Sequence, residues 1–300
     1  MPELPDIVVY LEALERRVVG STVRGFRVSS PSVLRTFDPP YDTVVGRIVT
    51  GVRRIGKRIV WDLSDGPVVV IHLMVAGRLK WSDRPGTPVP RKVGLCAWDF
   101  DEGSLVLTEQ GTRKRAGVWV FSDAEAATGE DRGGVEPLEV SETEFGRALT
   151  AENRTLKRAL TDPRILSGIG NAFSDEILWE ARLSPVKRTG QLSSDEVSRL
   201  HVATRESLER WTELLRDQVG DGWPDKVTAF RPEMAVHGKF GEPCPRCGSK
   251  VQRIVYASNE TNYCATCQTG GKLLADRSLS RLLKDDWPAT LEDLEERRGP

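Results

Sequence analysis

Apolar residues near the start of the chain recur at helical spacing. Within residues 6–19, one stripe of apolar side chains is formed by Leu11, Leu14 and Val18. Gly20 follows this stripe, and glycine commonly ends a helix because it tolerates the left-handed backbone conformation. The pattern predicts a helix that ends at Gly20 and anchors the first residues of the chain against a hydrophobic core.

The spacing changes after Gly20, and the apolar residues then fall in short β-rich runs. Turn residues separate the runs, as in Ser64-Asp65-Gly66-Pro67 and Asp83-Arg84-Pro85-Gly86. Short strands separated in this way predict a β-sandwich or a barrel. The predicted strands lie within residues 21–29, 46–55, 57–63, 67–75, 104–109 and 117–121.

Helical spacing returns in the second half of the chain. Residues 123–143 are acidic and poor in large apolar side chains, which is typical of a linker, with a surface helix as the alternative. Residues 144–218 are mostly helical in pattern, and Ser194-Asp195-Glu196 resembles an N-terminal cap for the longest helix. Residues 219–243 contain glycine, proline and polar side chains and predict a loop.

Composition limits the class of protein. A length of 300 residues suggests two domains, and 39% hydrophobic with 29% charged residues is typical of a globular protein in water. No run is apolar enough to span a bilayer and no cleavable signal opens the chain, so we expect an intracellular protein without a membrane partner. The net charge of −1 does not by itself indicate any binding partner, because nucleic-acid binding depends on clustered positive charge rather than on the total.

Four of the five cysteines fall in two C-x-x-C pairs. The pairs are Cys244 with Cys247 and Cys264 with Cys267, and sixteen residues separate them. Two such pairs predict one structural zinc ion with four sulfur ligands, holding a hairpin that turns near residues 258–260. Two disulfides or a redox motif are the alternatives, and an intracellular location disfavours disulfides. Cys96 lies alone in an apolar stretch and is predicted to be a buried small hydrophobic residue.

Candidate chemistry is found in the first six residues. Methionine before a small residue is usually trimmed, which would make the secondary amine of Pro2 the N-terminus. An α-amino group titrates near pH ~8, so part of it is nucleophilic at neutral pH, and its attack on a sugar aldehyde carbon gives an iminium ion. Glu3 follows as a carboxylate that can move protons there. The alternative is a short ordered tail that leads into the helix.

Two further segments suit phosphate binding. Gly168-Ile169-Gly170-Asn171 lies between two predicted helices, where exposed N–H groups and the asparagine side chain can hold a phosphate. Lys57 lies in a run with four basic residues in six, which suits contact with a phosphate backbone. A plain helix-to-helix turn and the exposed face of a strand are the respective alternatives.

Together these segments resemble the formamidopyrimidine-DNA glycosylase and endonuclease VIII family of base-excision repair enzymes. The resemblance runs the length of the chain, and it implies an α+β multidomain protein with a β-sandwich and flanking helices, a helix–two-turn–helix domain and a C-terminal zinc-finger hairpin. The motifs occur in the family's order: Pro2-Glu3-Leu4-Pro5, Gly56-Lys57, His72-Leu73, Gly77-Arg78-Leu79, Gly168-Ile169-Gly170-Asn171, Asp175-Glu176 and the four cysteines. The implied ranges are 1–122 for the catalytic sandwich, 123–143 for the linker, 144–232 for the helical domain, 233–285 for the zinc finger and 286–300 for a tail.

The resemblance also implies an activity, that of a bifunctional DNA glycosylase and abasic-site lyase acting on a nucleotide flipped out of the duplex. Pro2 would attack the sugar carbon, the base would leave, and elimination through the iminium would cleave the strand while Glu3 shuttles protons. Lys57, counted with the catalytic residues, and Asn171 would hold phosphates around the flipped nucleotide. The implied partner is damaged, abasic or single-stranded DNA, and the implied protein is a monomer in the cytoplasm, nucleoid-associated if bacterial.

The sequence departs from the family pattern at positions that would contact DNA. Met74 and Val75 stand where guanine-lesion members fill the gap left by the flipped base. Lys114-Arg115-Ala116-Gly117 replaces a motif whose phenylalanine wedges beside the orphaned base, and Asn259 replaces the phosphate-binding arginine of the finger. These departures predict a lesion preference other than standard 8-oxoguanine and a substrate whose base is already unstacked.

A non-catalytic damaged-DNA-binding protein on the same scaffold is the alternative to the enzyme. Such a protein would bind DNA in a salt-sensitive way without cleaving it. Retention of both Pro2 and Glu3 favours the enzyme. A zinc-ribbon protein that resembles the family only at its end is disfavoured, because the match runs the full length of the chain.

Overall fold

The computed structural model describes residues 1–256, 259–274 and 288–298, and the chain forms two compact units. The first unit combines residues 1–132 with 209–229, and the second combines residues 133–208 with those from 230 onward. Within the described ranges, every helix is too short or too polar to cross a bilayer.

The first unit is a β-sandwich, as predicted. Its strands are β1 (Gly25–Val28), β2 (Val49–Ile55), β3 (Arg58–Leu63), β4 (Val68–His72), β5 (Gly77–Ser82), β6 (Gly94–Asp99), β7 (Ser104–Glu109) and β8 (Gly117–Phe121). They form two four-stranded antiparallel sheets, one in the order β2-β3-β4-β8 and the other in the order β1-β6-β7-β5.

Aromatic and branched side chains from both sheets form one core. Trp61 of β3 and Trp98 of β6 are fully buried, and their ring centroids lie 5.2 Å apart. Cys96 belongs to the same core, which confirms that it is a buried small hydrophobic residue. The opposite face of the first sheet is also covered, because Val60 and Val70 pack with Ala127.

One helix, α1 (Leu4–Val18), packs on the sandwich through Ile7, Tyr10 and Leu14. The predicted helix is confirmed, although it begins at Leu4 rather than at residue 6. Proline is favoured in the first turn of a helix, and Pro5 occupies that turn. The backbone N–H of Glu3 donates to Asp6 Oδ2 at 2.9 Å, which satisfies a donor that the helix leaves without a partner.

The second unit combines helices with a zinc-finger hairpin. Its helices are α2 (Glu142–Thr150), α3 (Leu156–Thr161), α4 (Asn171–Glu180), the first part of α5 (Ser194–Val219), α6 (Ala265–Thr269) and α7 (Leu291–Arg298). The hairpin pairs β9 (Gln252–Tyr256) with β10 (Asn259–Tyr263) in antiparallel register. The turn was predicted near residues 258–260. Residue 258 lies outside the described residues, and Asn259 and Glu260 belong to β10 rather than to a turn.

The structure adds to or differs from the sequence predictions in three details. β5 and β6 are absent from the predicted strands, although in β5 charged residues alternate with apolar ones as in a half-buried strand; in β6 the apolar run includes alanine, which is depleted in strands. The cap of α5 is Ser193 rather than Ser194, since Ser193 N–H donates to Glu196 Oε2 and Glu196 N–H donates to Ser193 Oγ. The segment predicted as a linker contains a 3₁₀ turn (Ala126–Glu130).

Residues 209–229, which we predicted within the helical domain, are compact with the first unit. Their side chains explain this division. Trp223 Nε1 donates to Leu79 O at 2.9 Å, and Arg216 pairs with Glu12 at 2.7 Å.

Candidate functional site

The start of the chain is buried in the first unit, immediately before α1. Pro2 is buried and Glu3 is only 2% exposed. The two predicted catalytic residues therefore lie in a setting with little water, where electrostatic interactions are stronger than at an exposed terminus.

Charged groups from separate segments of the first unit act on the amino group of Met1. Burial lowers the pKa of this amine below its usual 8.0, Glu3 opposes the shift, and Arg78 and Lys57 reinforce it. A lowered pKa leaves more of an amine neutral at neutral pH, which is the nucleophilic form. Glu3 and Lys57 therefore both lie within electrostatic range of the amine at the chain start.

Arg78 also acts on this amine, although the sequence indicated it only as part of the Gly77-Arg78-Leu79 motif and not as a candidate site residue. Its Nε donates to Val227 O at 2.7 Å, and its Nη1 donates to Val75 O at 3.2 Å. The motif around it requires a close backbone approach, because a Cβ on Gly77 would lie 2.2 Å from Leu73 O. The Gly77-Arg78-Leu79 motif was the signal in the sequence, but the proximity of Arg78 to the amine depends on the fold.

Lys57 lies in the tight turn between β2 and β3. Gly56 has a φ of +59°, a conformation that glycine adopts without strain, and Ile55 pairs with Arg58 across the turn. Arg58 also pairs with Glu130 at 2.8 Å. Strand pairing on both sides thus holds the half-buried Lys57 at the tip of a hairpin.

The loop between β4 and β5 carries the predicted gap-filling residues. Met74 has a φ of +53°, which is uncommon for a residue other than glycine, and its N–H donates to His72 Nδ1 at 3.0 Å. Burial lowers the pKa of His72 to about 4, with Arg58 and Lys57 adding to the shift, so the ring is neutral and can accept this bond. Val75 is 56% exposed and is the more accessible of the two predicted residues.

Lys114 and Arg115 lie in a loop that is held from two sides. Glu109 Oε2 accepts from Arg115 N–H at 2.7 Å and from Ala116 N–H at 3.0 Å, while Arg35 Nη2 donates to the carbonyl oxygens of the same two residues. Lys114 Nζ donates to Glu109 O, and Arg115 is exposed. Ala116 is 1% exposed and belongs to the sandwich core, so this position presents no wedge.

Asn171 is the first residue of α4 and borders a buried polar network in the second unit. Lys157 Nζ donates to Asn171 O and to Asp175 Oδ1, both at 2.6 Å. Asp175 is fully buried, and its Oδ2 lies 2.7 Å from His237 Nδ1. Asn171 Nδ2 donates to Glu260 O at 2.9 Å, which joins the start of α4 to β10.

Glu176 holds the loop that precedes the zinc finger. Its carboxylate accepts from the backbone N–H groups of Ala235 at 2.8 Å and of Val236 and His237 at 2.9 Å. Burial raises the pKa of Glu176, and the three hydrogen bonds act in the opposite direction. The Asp175-Glu176 motif therefore links α4 to the segment around residue 237.

The four paired cysteines form the predicted metal centre. The Sγ atoms of Cys244, Cys247, Cys264 and Cys267 lie within 4.8 Å of one another. Sulfur ligands at ~2.3 Å from a tetrahedral zinc ion lie within such a distance of each other, so the residues fit one zinc ion. Trp179 Nε1 lies 3.3 Å from Cys244 Sγ and supports that ligand from α4.

Asn259, the predicted finger contact, is the first residue of β10 and is exposed. Its neighbour Glu260 pairs with Arg253 across the hairpin at 3.1 Å. The position therefore offers a neutral amide at the start of the strand rather than a charged group.

Three family profiles match the chain in order. The profile of the formamidopyrimidine-DNA glycosylase N-terminal domain covers residues 1–118, that of its helix–two-turn–helix domain covers 134–219, and that of a zinc finger found in this glycosylase and in isoleucyl-tRNA synthetase covers 241–270. A formamidopyrimidine-DNA glycosylase of Carboxydothermus hydrogenoformans is 33% identical, with 89% of this chain matching 100% of that protein. The chain belongs to the formamidopyrimidine-DNA glycosylase family.

Other members of the formamidopyrimidine-DNA glycosylase family match the chain in part or in structure. A Mycobacterium tuberculosis protein, named only as formamidopyrimidine-DNA glycosylase-like, is 40% identical over 151 residues, which are 50% of this chain and 94% of that protein. The Lactococcus lactis enzyme bound to DNA containing N7-benzyl-Fapy-dG has a TM-score of 0.80 and 26% identity, covering 89% of this chain and 100% of that one. A complex of the Lactococcus lactis protein with abasic-site DNA has a TM-score of 0.77 and 25% identity over the same 89% of this chain and 99% of that one.

Proposed function

We infer that this protein is a bifunctional DNA glycosylase and abasic-site lyase of base-excision repair. Membership of the formamidopyrimidine-DNA glycosylase family supports the reaction class. The observation that carries the inference is the buried start of the chain, where Glu3, Arg78 and Lys57 act on the terminal amine. We propose that Met1 is removed and that the secondary amine of Pro2 then lies among these groups.

In the proposed reaction, the neutral amine of Pro2 bonds to carbon C1′ of the damaged nucleotide while the bond from C1′ to the base breaks. The amine proton passes to the departing base, and the C1′–O4′ bond then breaks as O4′ takes up a proton, which leaves an iminium ion between Pro2 and C1′. Loss of a proton from C2′ then breaks the C3′–O bond and releases the 3′ phosphate. Glu3 is the proposed proton shuttle, because it is the buried carboxylate that follows Pro2 directly.

Lys57 and Asn171 are each proposed as a phosphate ligand of the bound DNA. Lys57 lies in the hairpin turn between β2 and β3, and a compact ammonium group suits phosphate oxygens. The side-chain amide of Asn171 carries two N–H donors, and the bond to Glu260 O uses one of them. Asn259 is proposed as a further, neutral contact to DNA. Zinc would be held by the four cysteines and would stabilise the hairpin that carries Asn259.

We propose that the preferred substrate is damaged DNA whose base is already unstacked, rather than duplex DNA with standard 8-oxoguanine. The buried Ala116 cannot unstack a base pair, and the bonds from Glu109 and Arg35 hold its loop in place. Lys114 and Arg115 contribute positive charge on the same loop, and Met74 or Val75 fills the gap left by the flipped base.

We place the enzyme in the cytoplasm, at the nucleoid if the organism is bacterial.

Borohydride trapping tests the proposed nucleophile. Reduction of the iminium should join the wild-type protein covalently to DNA that contains an abasic site. Pro2→Gly replaces the secondary amine by a primary one and should reduce the trapped fraction at least tenfold. Pro85→Gly makes the same exchange in an exposed turn and should trap like the wild type.

Mass spectrometry of the purified protein tests whether Met1 is removed, as the trapping experiment assumes. The mature chain should begin at Pro2, and a variant with residues added before Met1 should trap no DNA. Retention of Met1 in a protein that still traps DNA, or equal trapping by Pro2→Gly and the wild type, would show that another group is the nucleophile. Absence of trapping on every abasic substrate would leave a non-catalytic DNA-binding protein.

A further inference from the structure

Phe230 combines high exposure with a fixed position. Its side chain is 70% exposed, although a large aromatic ring is usually buried. The ring stacks on His237 with centroids 5.5 Å apart and an interplanar angle of 15°. It also rests against Gly238, where a Cβ would approach Phe230 Cδ1 to 2.8 Å. One side of the ring is therefore supported, while most of its surface faces solvent.

The support beneath Phe230 is itself anchored in the second unit. His237 has a side chain only 5% exposed, its Nδ1 lies 2.7 Å from the buried Asp175 Oδ2, and its N–H donates to Glu176 Oε1 at 2.9 Å. Buried charge-assisted bonds of this kind are short and strong, so the imidazole is held in one orientation. Because the Phe230 ring stacks nearly parallel on this imidazole, the Phe230 ring is held in a defined orientation as well.

The same network leads from Phe230 to the proposed phosphate ligand. Asp175 pairs with Lys157 at 2.6 Å, and Lys157 donates to Asn171 O at 2.6 Å. The exposed Phe230 ring and Asn171 are therefore connected to the same pair of charged side chains, Asp175 and Lys157. Proteins that bind unpaired nucleic acid combine aromatic rings, on which bases stack, with groups that hold the phosphate backbone. Both components are present here.

We propose that Phe230, supported by His237, is a stacking subsite for an unpaired nucleobase of the bound DNA. The inference rests on the proposed function in taking DNA as the ligand and Asn171 as a phosphate contact. Stacking uses the exposed surface of the ring and forms no hydrogen bond to the base, so the subsite tolerates any of the four bases. It supplies an aromatic contact to a protein whose Ala116 supplies none.

Fluorescent DNA tests this subsite without the chemical step. The probe is a single strand with an uncleavable tetrahydrofuran abasic analogue and one 2-aminopurine, placed in turn at each flanking position. Stacking on Phe230 should quench 2-aminopurine at one of these positions. Phe230→Leu keeps an apolar side chain but removes the ring, and it should abolish the quenching and weaken binding about tenfold. Phe230→Trp should retain both.

A matched control substitution and the salt dependence of binding distinguish the loss of base stacking from a general loss of DNA binding. Phe37 is 76% exposed in the first unit, and Phe37→Leu should leave both quenching and affinity at wild-type values. Because Phe230 carries no charge, Phe230→Leu should also keep the slope of log K against log salt. Wild-type affinity in Phe230→Leu, or a loss in Phe230→Trp as large as in Phe230→Leu, would overturn the subsite. Borohydride trapping by the wild type reports the lyase separately, so trapping without quenching overturns only the stacking subsite.

Discussion

A single imidazole shapes the loop that carries Met74 and Val75. The left-handed conformation of Met74 costs energy for a residue with a Cβ, and the bond from its N–H to His72 Nδ1 opposes that cost. The bond needs a neutral ring, because a protonated imidazole has no acceptor. Burial, Arg58 and Lys57 all favour the neutral form. The environment of His72 therefore determines the backbone conformation of the loop that carries the predicted gap-filling residues.

This arrangement predicts a pH-dependent contribution to stability. The pKa of His72 is about 4 in the folded protein and near 6.5 in an unfolded chain, so the unfolded state binds the extra proton between these values. The contribution is fully present above pH 6.5 and is lost as the pH falls towards 4. At pH 5 the wild type should have lost about 2 kcal/mol of unfolding free energy through this group.

Urea unfolding of the wild type and of His72→Asn, at pH 7 and pH 5, measures the effect. Asparagine keeps an acceptor oxygen near the place of Nδ1 but does not titrate in this range. The stability difference between the two proteins should therefore shrink by about 2 kcal/mol on going from pH 7 to pH 5. A difference that is the same at both pH values would contradict the assigned shift.

At the scale of elements, the β9–β10 hairpin depends on metal more than on its own core. Two strands alone are marginally stable in water, and the buried cluster to which the hairpin contributes Ile254 and Tyr263 is small. Four thiolates around one zinc ion provide the missing stabilisation, since structural zinc contributes roughly 10–16 kcal/mol of binding free energy in small fingers. Trp179 and Asn171 of α4 contact Cys244 and the hairpin, so the order of the metal centre affects α4 as well.

Removal of one ligand should therefore release zinc and loosen the hairpin. Cys247→Ser changes an exposed ligand with little effect on packing, and it should lower the zinc content from one ion per chain to well below one. Hydrogen exchange in residues 244–270 should accelerate by at least tenfold. Cys96→Ala alters the remaining cysteine, which lies in the sandwich core, and should keep the full zinc content. Equal zinc in all three proteins would rule out the four-sulfur site.

The elements that sequence could predict are those whose signal is local. The stripe of Leu11, Leu14 and Val18 predicted α1, and the cysteine spacing predicted the metal centre, because each depends on residues near one another in the chain. The polar network was not predictable in this way. Asp175 meets His237 across 62 residues of sequence, and no local pattern encodes that contact. Family motifs identified Asp175 and Arg78 as part of the pattern, but only the fold shows what each side chain contacts.

At the scale of the whole molecule, the attraction to DNA must come from the distribution of charge rather than from the net charge. The chain has 43 basic and 44 acidic residues, so its net charge of −1 provides no attraction to DNA. Affinity for a phosphate backbone instead depends on the few cations that displace counterions where the strand lies. The loop after β7 concentrates three of them, Arg113, Lys114 and Arg115, on a backbone fixed by Glu109.

Two triple variants with the same net charge distinguish local from total charge. The combined change Arg113→Gln, Lys114→Gln and Arg115→Gln takes the net charge from −1 to −4, as does Arg84→Gln, Arg91→Gln and Lys92→Gln in the exposed segment between β5 and β6. Binding to a single strand with the tetrahydrofuran analogue is measured across a salt series. The first variant should reduce the slope of log K against log salt by about two to three, because it removes that many phosphate contacts, and the second should keep the wild-type slope. If both variants change the slope equally, the field of the whole protein governs binding and the loop after β7 has no special part in it.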